Sequence, residues 1–278
     1  ARDRRQGRAL TGPKEPNEKA DTLFVHPDVR RMLMESKALT EGLRALTLWT
    51  ALQVDLSHYA ATEEERQAAD DLLQLLTPVV KGYGTDKGFD VAVSAQQVFG
   101  GHGYIWENGV EQYVRDARIA QIYEGTNGIQ ALDLVGRKMP TKAGRYLRRF
   151  FHPVQEYIEA NVSNGELGEY VQPLAKAFMR LQQATGELAQ RGMKNPDEAG
   201  AAATEFLRLF GLVAVGFMWA RMAEIALAKQ GDDEDGFYKG KLITAKFYME
   251  RVLPQSGALF SQIMSGSSTM MELDEELF

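Results

Sequence analysis

The chain has 278 residues, enough for one large or two medium domains with cores of their own. A formal net charge of −6 argues against nucleic acid as the main partner, and a hydrophobic content of 44% is ordinary for a globular protein. No run reaches the roughly 20 apolar residues of a membrane span, and the lack of cysteine excludes disulfides, thiolate nucleophiles and cysteine-based metal sites.

The same lack of cysteine fits a reducing, cytoplasmic setting. His26, His58, His102 and His152 show no ligand spacing, so no metal site is expected. The chain opens on Ala1-Arg-Asp-Arg-Arg5, without methionine and with no apolar segment behind it. That start reads as the middle of a helix in a longer protein, with no signal peptide. The cluster from Arg2 to Gln6 reads as a solvated helix face or, alternatively, as a phosphate grip.

Pro27 suits a first helical position. Leu33, Leu39, Leu43, Leu46, Trp49, Leu52 and Leu56 then recur at helical spacing as far as Tyr59. Thr62 with Glu65 forms a capping box opening a second long helix to Phe99. Pro78 should kink that helix, and Gly82, Gly84 and Gly88 weaken it locally. Gly100 to Gly109 reads as irregular, Val110 to Arg118 as a helix, and Ile119 to Gly125 as a loop. Thr126 is the expected N-cap of a helix through Val135, and Lys138-Met-Pro140 looks like a boundary.

Beyond it, helices are predicted over 141–161, 168–192, 196–230 and 236–253, with a short piece near 255–264. These lengths suit an up-down bundle. The apolar run from Leu209 to Ala220 reads as a buried helix. No segment alternates with period two, so the fold class is all-α, with domains over 1–138 and 139–278. Lys142, Arg145, Arg148 and Arg149 read as a solvated basic stripe or an interface, and Trp49, Trp106 and Trp219 as packing residues.

Glu124 is the carboxylate to weigh for chemistry. It precedes Gly125, which tolerates unusual backbone angles, and a helix start, which favours nearby negative charge. A carboxylate so held can act as a general base if it is close to the proton and has a matched pKa. Taken alone, a glutamate at this place is more often a surface residue complementing a helix dipole. Gln97-Val-Phe-Gly-Gly101 reads equally as a helix C-cap or as a place where a bulky ligand can approach bare backbone.

Together these pieces resemble the C-terminal half of the acyl-CoA dehydrogenases. The family's glutamine, two residues, Gly-Gly-x-Gly-Tyr is matched by Gln97, Gly100, Gly101, Gly103 and Tyr104. Its Arg-Asp-Ala and Ile-Tyr-Glu-Gly-Thr are matched by Arg115 to Ala117 and Ile122 to Thr126. His26-Pro-Asp-Val-Arg-Arg31, Lys37-Ala38 and Glu41-Gly-Leu-Arg-Ala-Leu46 resemble the subgroup containing methylthiopropionyl-CoA dehydrogenases and broad-range enzymes, which carry an added helical C-terminal domain.

The resemblance implies that Glu124 removes an acyl-CoA α-proton while the β-hydrogen passes as hydride to FAD, giving a trans-2-enoyl-CoA. It implies that the Glu124 backbone N–H and a flavin ribityl hydroxyl bind the thioester carbonyl, and that Tyr123 and Gly125 border the substrate. Thr126 and Asn127 would lie against FAD. Arg4 and Gln6 would contact the FAD of one subunit, and Gln97, Val98, Phe99, Gly100 and Gly101 that of its partner. A homodimer or higher oligomer and an electron-transfer flavoprotein acceptor are thereby implied. Two departures stand out: Gly128 replaces a Gln or Glu of many relatives, and the chain is longer around Thr11–Thr22 and near Thr62.

The family's N-terminal helical and middle β-domains are not in this chain, so the chain alone is expected to hold FAD poorly and to be inactive. Other readings are a related flavoprotein of nitroalkane-oxidising or DNA-damage-response type, and a non-catalytic helical assembly module.

Overall fold

The computed structural model describes residues 1–277 and is helical nearly throughout. Among these residues no strand forms, and the only β-bridge is an isolated pair, Arg5 with Thr22. Helix α1 covers Pro27–Tyr59 and α2 covers Glu63–Phe99, and the two pack as a long hairpin. The capping box forms as expected. The Glu65 amide donates to Thr62 Oγ1 at 3.2 Å, and the Thr62 amide donates to Glu65 Oε2 at 3.0 Å. Helix α2 stays helical through Pro78 and its glycines.

The first 22 residues correct the expectation of a helix. They form an irregular loop closed by the Arg5–Thr22 bridge. Asp21 organises it from a fully buried position, taking the amides of Ala9, Lys14 and Glu15 at 2.9, 3.0 and 2.9 Å. Those amides, Ala9 first, pull its carboxyl down to about 2 against the opposing effect of burial. The extra length near Thr11–Thr22 is therefore wound around one carboxylate. Arg5 pairs with Glu15 in this loop, so the N-terminal basic cluster does not form a helix face.

The stretch expected to be irregular contains two short turns: α3, Gly101–Tyr104, and a 3-10 turn, Trp106–Asn108. Helix α4, Val110–Ile119, and α5, Asn127–Asp133, follow, and a π turn, Leu134–Lys138, extends α5. Helix α6 spans Thr141–Asn161, but Lys142, Ala143 and Gly144 all have left-handed backbones, so regular helix resumes only at Arg145. From that point the helix is tied to α2. Buried Asp71 holds Arg145 Nε at 2.7 Å and Arg149 Nε at 3.5 Å. Two of the four residues read as a solvated stripe thus form a structural ion pair.

Helices α7, Gly165–Lys194, and α8, Pro196–Ala228, form the second long hairpin. Asn195 caps α8 by accepting from the Asp197 amide at 3.1 Å. Helix α9, Phe237–Phe247, ends short of the predicted 253 and continues as a π turn, Tyr248–Val252, before α10, Ser256–Met264, and α11, Ser268–Met271.

Helix α8 is the centre of the molecule. By length and composition it could cross a membrane, yet 78% of its most apolar window is buried within the chain. All residues from Leu209 to Ala220 are buried. One continuous core joins both hairpins, from Ala38 to Ile263. Three glycines let the helices close up. A Cβ at Gly42 would lie 2.6 Å from Trp219 Nε1, one at Gly82 2.9 Å from Leu207 Cδ1, and one at Gly211 2.3 Å from Tyr83 Cγ. Trp219 also donates its indole N–H to the Ala38 carbonyl at 3.0 Å. Trp49 packs edge-on against Phe217 in the same core, but Trp106 stands 76% exposed and is no packing residue within this chain.

Candidate active site

The loop between α4 and α5 is bolted to α2. Asn127 donates through Nδ2 to the Gly82 carbonyl at 3.0 Å and to Asp86 Oδ1 at 2.7 Å, with Thr85 Oγ1 2.9 Å from the same nitrogen. Its Oδ1 accepts from Lys81 Nζ at 2.9 Å, and the same ammonium donates to the Gly125 carbonyl at 2.9 Å. Gln130 Nε2 reaches that carbonyl too, at 3.1 Å. The loop also closes on itself: the Asn127 amide and Thr126 Oγ1 each donate to the Gln121 carbonyl at 3.1 Å. Thr126 therefore precedes α5 without capping it through its side chain.

This clamp imposes an uncommon backbone on Glu124, with φ of +49°, followed by Gly125 at +79°. A left-handed backbone costs a non-glycine residue about 1–2 kcal/mol, so its presence needs outside support. Glu124 and Tyr123 are exposed on this chain, as is Thr126, while Gly125 and Asn127 are half-buried. Among the described residues nothing pairs with the Glu124 carboxylate, and its backbone N–H donates to no backbone carbonyl. The loop thus presents a free carboxylate and a free amide side by side from a rigid mount. Sequence reasoning singled out Glu124, Gly125, Thr126 and Asn127 but missed the mount itself: Lys81, Thr85, Asp86 and Gln121.

The remaining candidates gather elsewhere. Arg4, Gln6, Gln97, Val98, Phe99, Gly100 and Gly101 all line one cleft of about 940 Å³ at the C-terminal end of α2. Arg4 and Gln6, expected at one flavin, and Gln97 to Gly101, expected at its partner's, thus stand on the same cleft of this chain. His26, at the start of α1, fixes the N-terminal segment of the cleft, its Nε2 lying 2.8 Å from the Gln6 carbonyl oxygen. Gly100 has φ of +60°, and a Cβ on Gly100 or Gly101 would meet nothing within 4 Å, so bare backbone faces open space. Arg4 brings an exposed guanidinium to the same space. A cationic fork beside uncovered backbone suits a diphosphate-bearing ligand. Gly103 has a different reason: a Cβ there would lie 2.6 Å from the Gln96 carbonyl oxygen. The eleven residues from Asp86 to Gln97 separate loop and cleft by about 16 Å along α2.

Two family profiles match the chain: "Acyl-CoA dehydrogenase, C-terminal domain" over residues 9–139, and "Acetyl-CoA dehydrogenase C-terminal like" over 150–274. The chain belongs to the acyl-CoA dehydrogenase family. It is 38% identical over 276 residues to a 3-methylmercaptopropionyl-CoA dehydrogenase of Ruegeria pomeroyi, covering 98% of this chain and 46% of that protein. It is 35% identical to a broad-specificity linear acyl-CoA dehydrogenase of Mycobacterium tuberculosis, covering 100% and 47%. The chain thus spans about half the length of the curated relatives it matches.

Solved structures share the fold of this chain at low identity. Caenorhabditis elegans ACDH-11, in complex with C11-CoA, superposes with a TM-score of 0.69 at 20% identity, covering 85% of this chain and 38% of that one. A Bacillus anthracis acyl-CoA dehydrogenase complexed with FAD gives 0.68 at 19%, covering 92% and 45%.

Proposed function

We propose that this chain is the C-terminal part of an FAD-dependent acyl-CoA dehydrogenase in which Glu124 is the base that removes the substrate α-proton. The observation that carries the reading is the Glu124 loop: a free carboxylate and its own free backbone N–H, mounted on α2 through Asn127 and Lys81. The carboxylate takes the α-proton. The adjacent N–H donates to the thioester carbonyl, where charge gathers as that proton leaves. Tyr123 and Gly125 flank the acyl group. Bound flavin supplies the acceptor for the β-hydride.

Residues of the cleft, with Arg4 on one wall and Gly100 and Gly101 on the other, would hold the flavin's diphosphate. Thr126 and Asn127 would lie against the flavin that Glu124 serves. We infer a second copy of the chain, so that cleft and loop serve different flavins, and an electron-transfer flavoprotein as acceptor. The two acyl-CoA dehydrogenases with CoA- and FAD-bound structures support this reading by fold.

The deciding experiment is Glu124→Gln in the full-length enzyme, assayed for acyl-CoA turnover. A loss of at least roughly 10²-fold is expected from removal of a general base. Unchanged turnover would remove Glu124 from the role. The isolated 278-residue chain is expected to purify nearly free of flavin. Stoichiometric flavin absorbance would contradict that.

A further inference from the structure

Asp86 holds together two parts of the molecule that the proposed chemistry treats separately. Its Oδ1 accepts from Gln121 Nε2 at 2.8 Å and from Asn127 Nδ2 at 2.7 Å, and so fastens both ends of the Glu124 loop. Its Oδ2 faces away from the loop, towards Arg208 on α8, whose Nε and Nη2 both stand at 3.4 Å. Arg208 is the only cation paired with Asp86 among the described residues. Lys87, which lines the same small cavity, pairs with Asp90 instead. The carboxylate is thus divided, one oxygen for the loop and one for the second hairpin.

We propose that Arg208 is a positioning residue for the Glu124 loop, acting through Asp86, and that the second helical bundle thereby sets the geometry of the base. The inference rests on the reading of Glu124 as base. Asp86 is only 15% exposed in its side chain, so its charge is poorly hydrated and relies on a counter-ion. With Arg208 in place both oxygens are occupied, and Oδ1 is directed at the loop. Without it, Oδ2 has no partner, and the carboxylate is free to rotate towards water and release Gln121 or Asn127. Either release loosens the turn that holds Glu124 in its left-handed backbone.

Arg208 is 45% exposed in its side chain, and exposed ion pairs of this length contribute little to global stability. The effect therefore belongs in catalysis and in loop protection rather than in Tm. In the full-length enzyme, Arg208→Gln should lower kcat roughly 5-fold, the rate equivalent of a strong surface ion pair, with KM for acyl-CoA within about twofold. Hydrogen exchange at residues 121–127 should quicken, Tm should hold, and Arg208→Lys should recover most of the loss. Wild-type kcat and exchange in Arg208→Gln, an equal loss in both variants, or a loss that tracks a fall in Tm would each overturn the proposal. Glu124→Gln in the same assay separates the two ideas. If that variant is dead while Arg208→Gln is normal, only the role of Arg208 falls. If Glu124→Gln turns over normally, the base reading falls and takes this proposal with it.

Discussion

Replacing Lys81 with methionine tests the mount of the Glu124 loop most directly. The ammonium makes two charge-assisted hydrogen bonds of 2.9 Å, to the Gly125 carbonyl and to Asn127 Oδ1. Such bonds contribute about 1.5–3 kcal/mol each when the partner is left orphaned. Here the Gly125 carbonyl keeps Gln130 Nε2 at 3.1 Å, while Asn127 Oδ1 keeps only Thr85 Oγ1 at 3.2 Å, whose single proton also has the Lys81 carbonyl at 2.8 Å. Lys81 is also only half-buried, so the loss is discounted to about 1–2 kcal/mol in total. That matches the roughly 1–2 kcal/mol held in the left-handed backbone of Glu124. A loss of about 1.4 kcal/mol, within that range, lowers the weight of the observed turn against relaxed forms about tenfold. Full-length Lys81→Met is expected to lose roughly 10-fold in kcat with acyl-CoA, and amide exchange at 121–127 should rise while the core stays protected. A kcat within twofold of wild type, with unchanged exchange, would refute the idea that Lys81 holds the base in place.

Gly211→Ala should destabilise the chain. Its Cβ would lie 2.3 Å from Tyr83 Cγ in a fully packed region, an overpacking of about 3 kcal/mol offset by roughly 1 kcal/mol of helix propensity. A fall of several degrees in Tm is expected, and an unchanged or higher Tm would show that α2 and α8 can part without loss. Asp21 gives a pH dependence. Its carboxyl titrates at about 2 in the folded chain, below the usual carboxylate value near 3.9, so the stability it gives the N-terminal loop is complete above pH 4 and lost as pH falls through about 2. Pepsin should cut at exposed Leu10 ever more readily over that interval. Asp21→Asn should be cut readily throughout, and equal cutting of both proteins at pH 4 would sink the assignment.

The long helices were legible because their starts carry local signals. Pro27, the Thr62–Glu65 box and Asn195-Pro196 each act within a turn of themselves, and each helix begins where they stand. What escaped notice depends on distant pairs. Arg145 looks like any basic helix residue until Asp71, 74 positions earlier, is brought beside it. The left-handed residues at 142–144 accompany that pairing and have no signature beyond Gly144. The N-terminal loop misled in the same way, since Asp21 gathers amides from 6 to 12 positions away. At the candidate site, the motif around Glu124 was visible as a motif. Lys81 and Asp86 were not, because five residues apart on a helix they look like ordinary surface charges. Only folding shows that both point at the same turn.

The glycines at 42, 82 and 211 bear on how this chain can be recombined with others. They are steric keys cut for Trp219, Leu207 and Tyr83 across the joint between the two hairpins. A chimera made by grafting residues 139–278 onto the first half of a relative carries over Leu207, Gly211 and Trp219 but takes positions 42, 82 and 83 from the recipient. Where a recipient carries alanine or larger opposite Trp219, the graft would be held off α1 by its own indole ring. Crossover points that keep positions 42, 82, 83, 207, 211 and 219 together should give folded hybrids, and those that divide them should not.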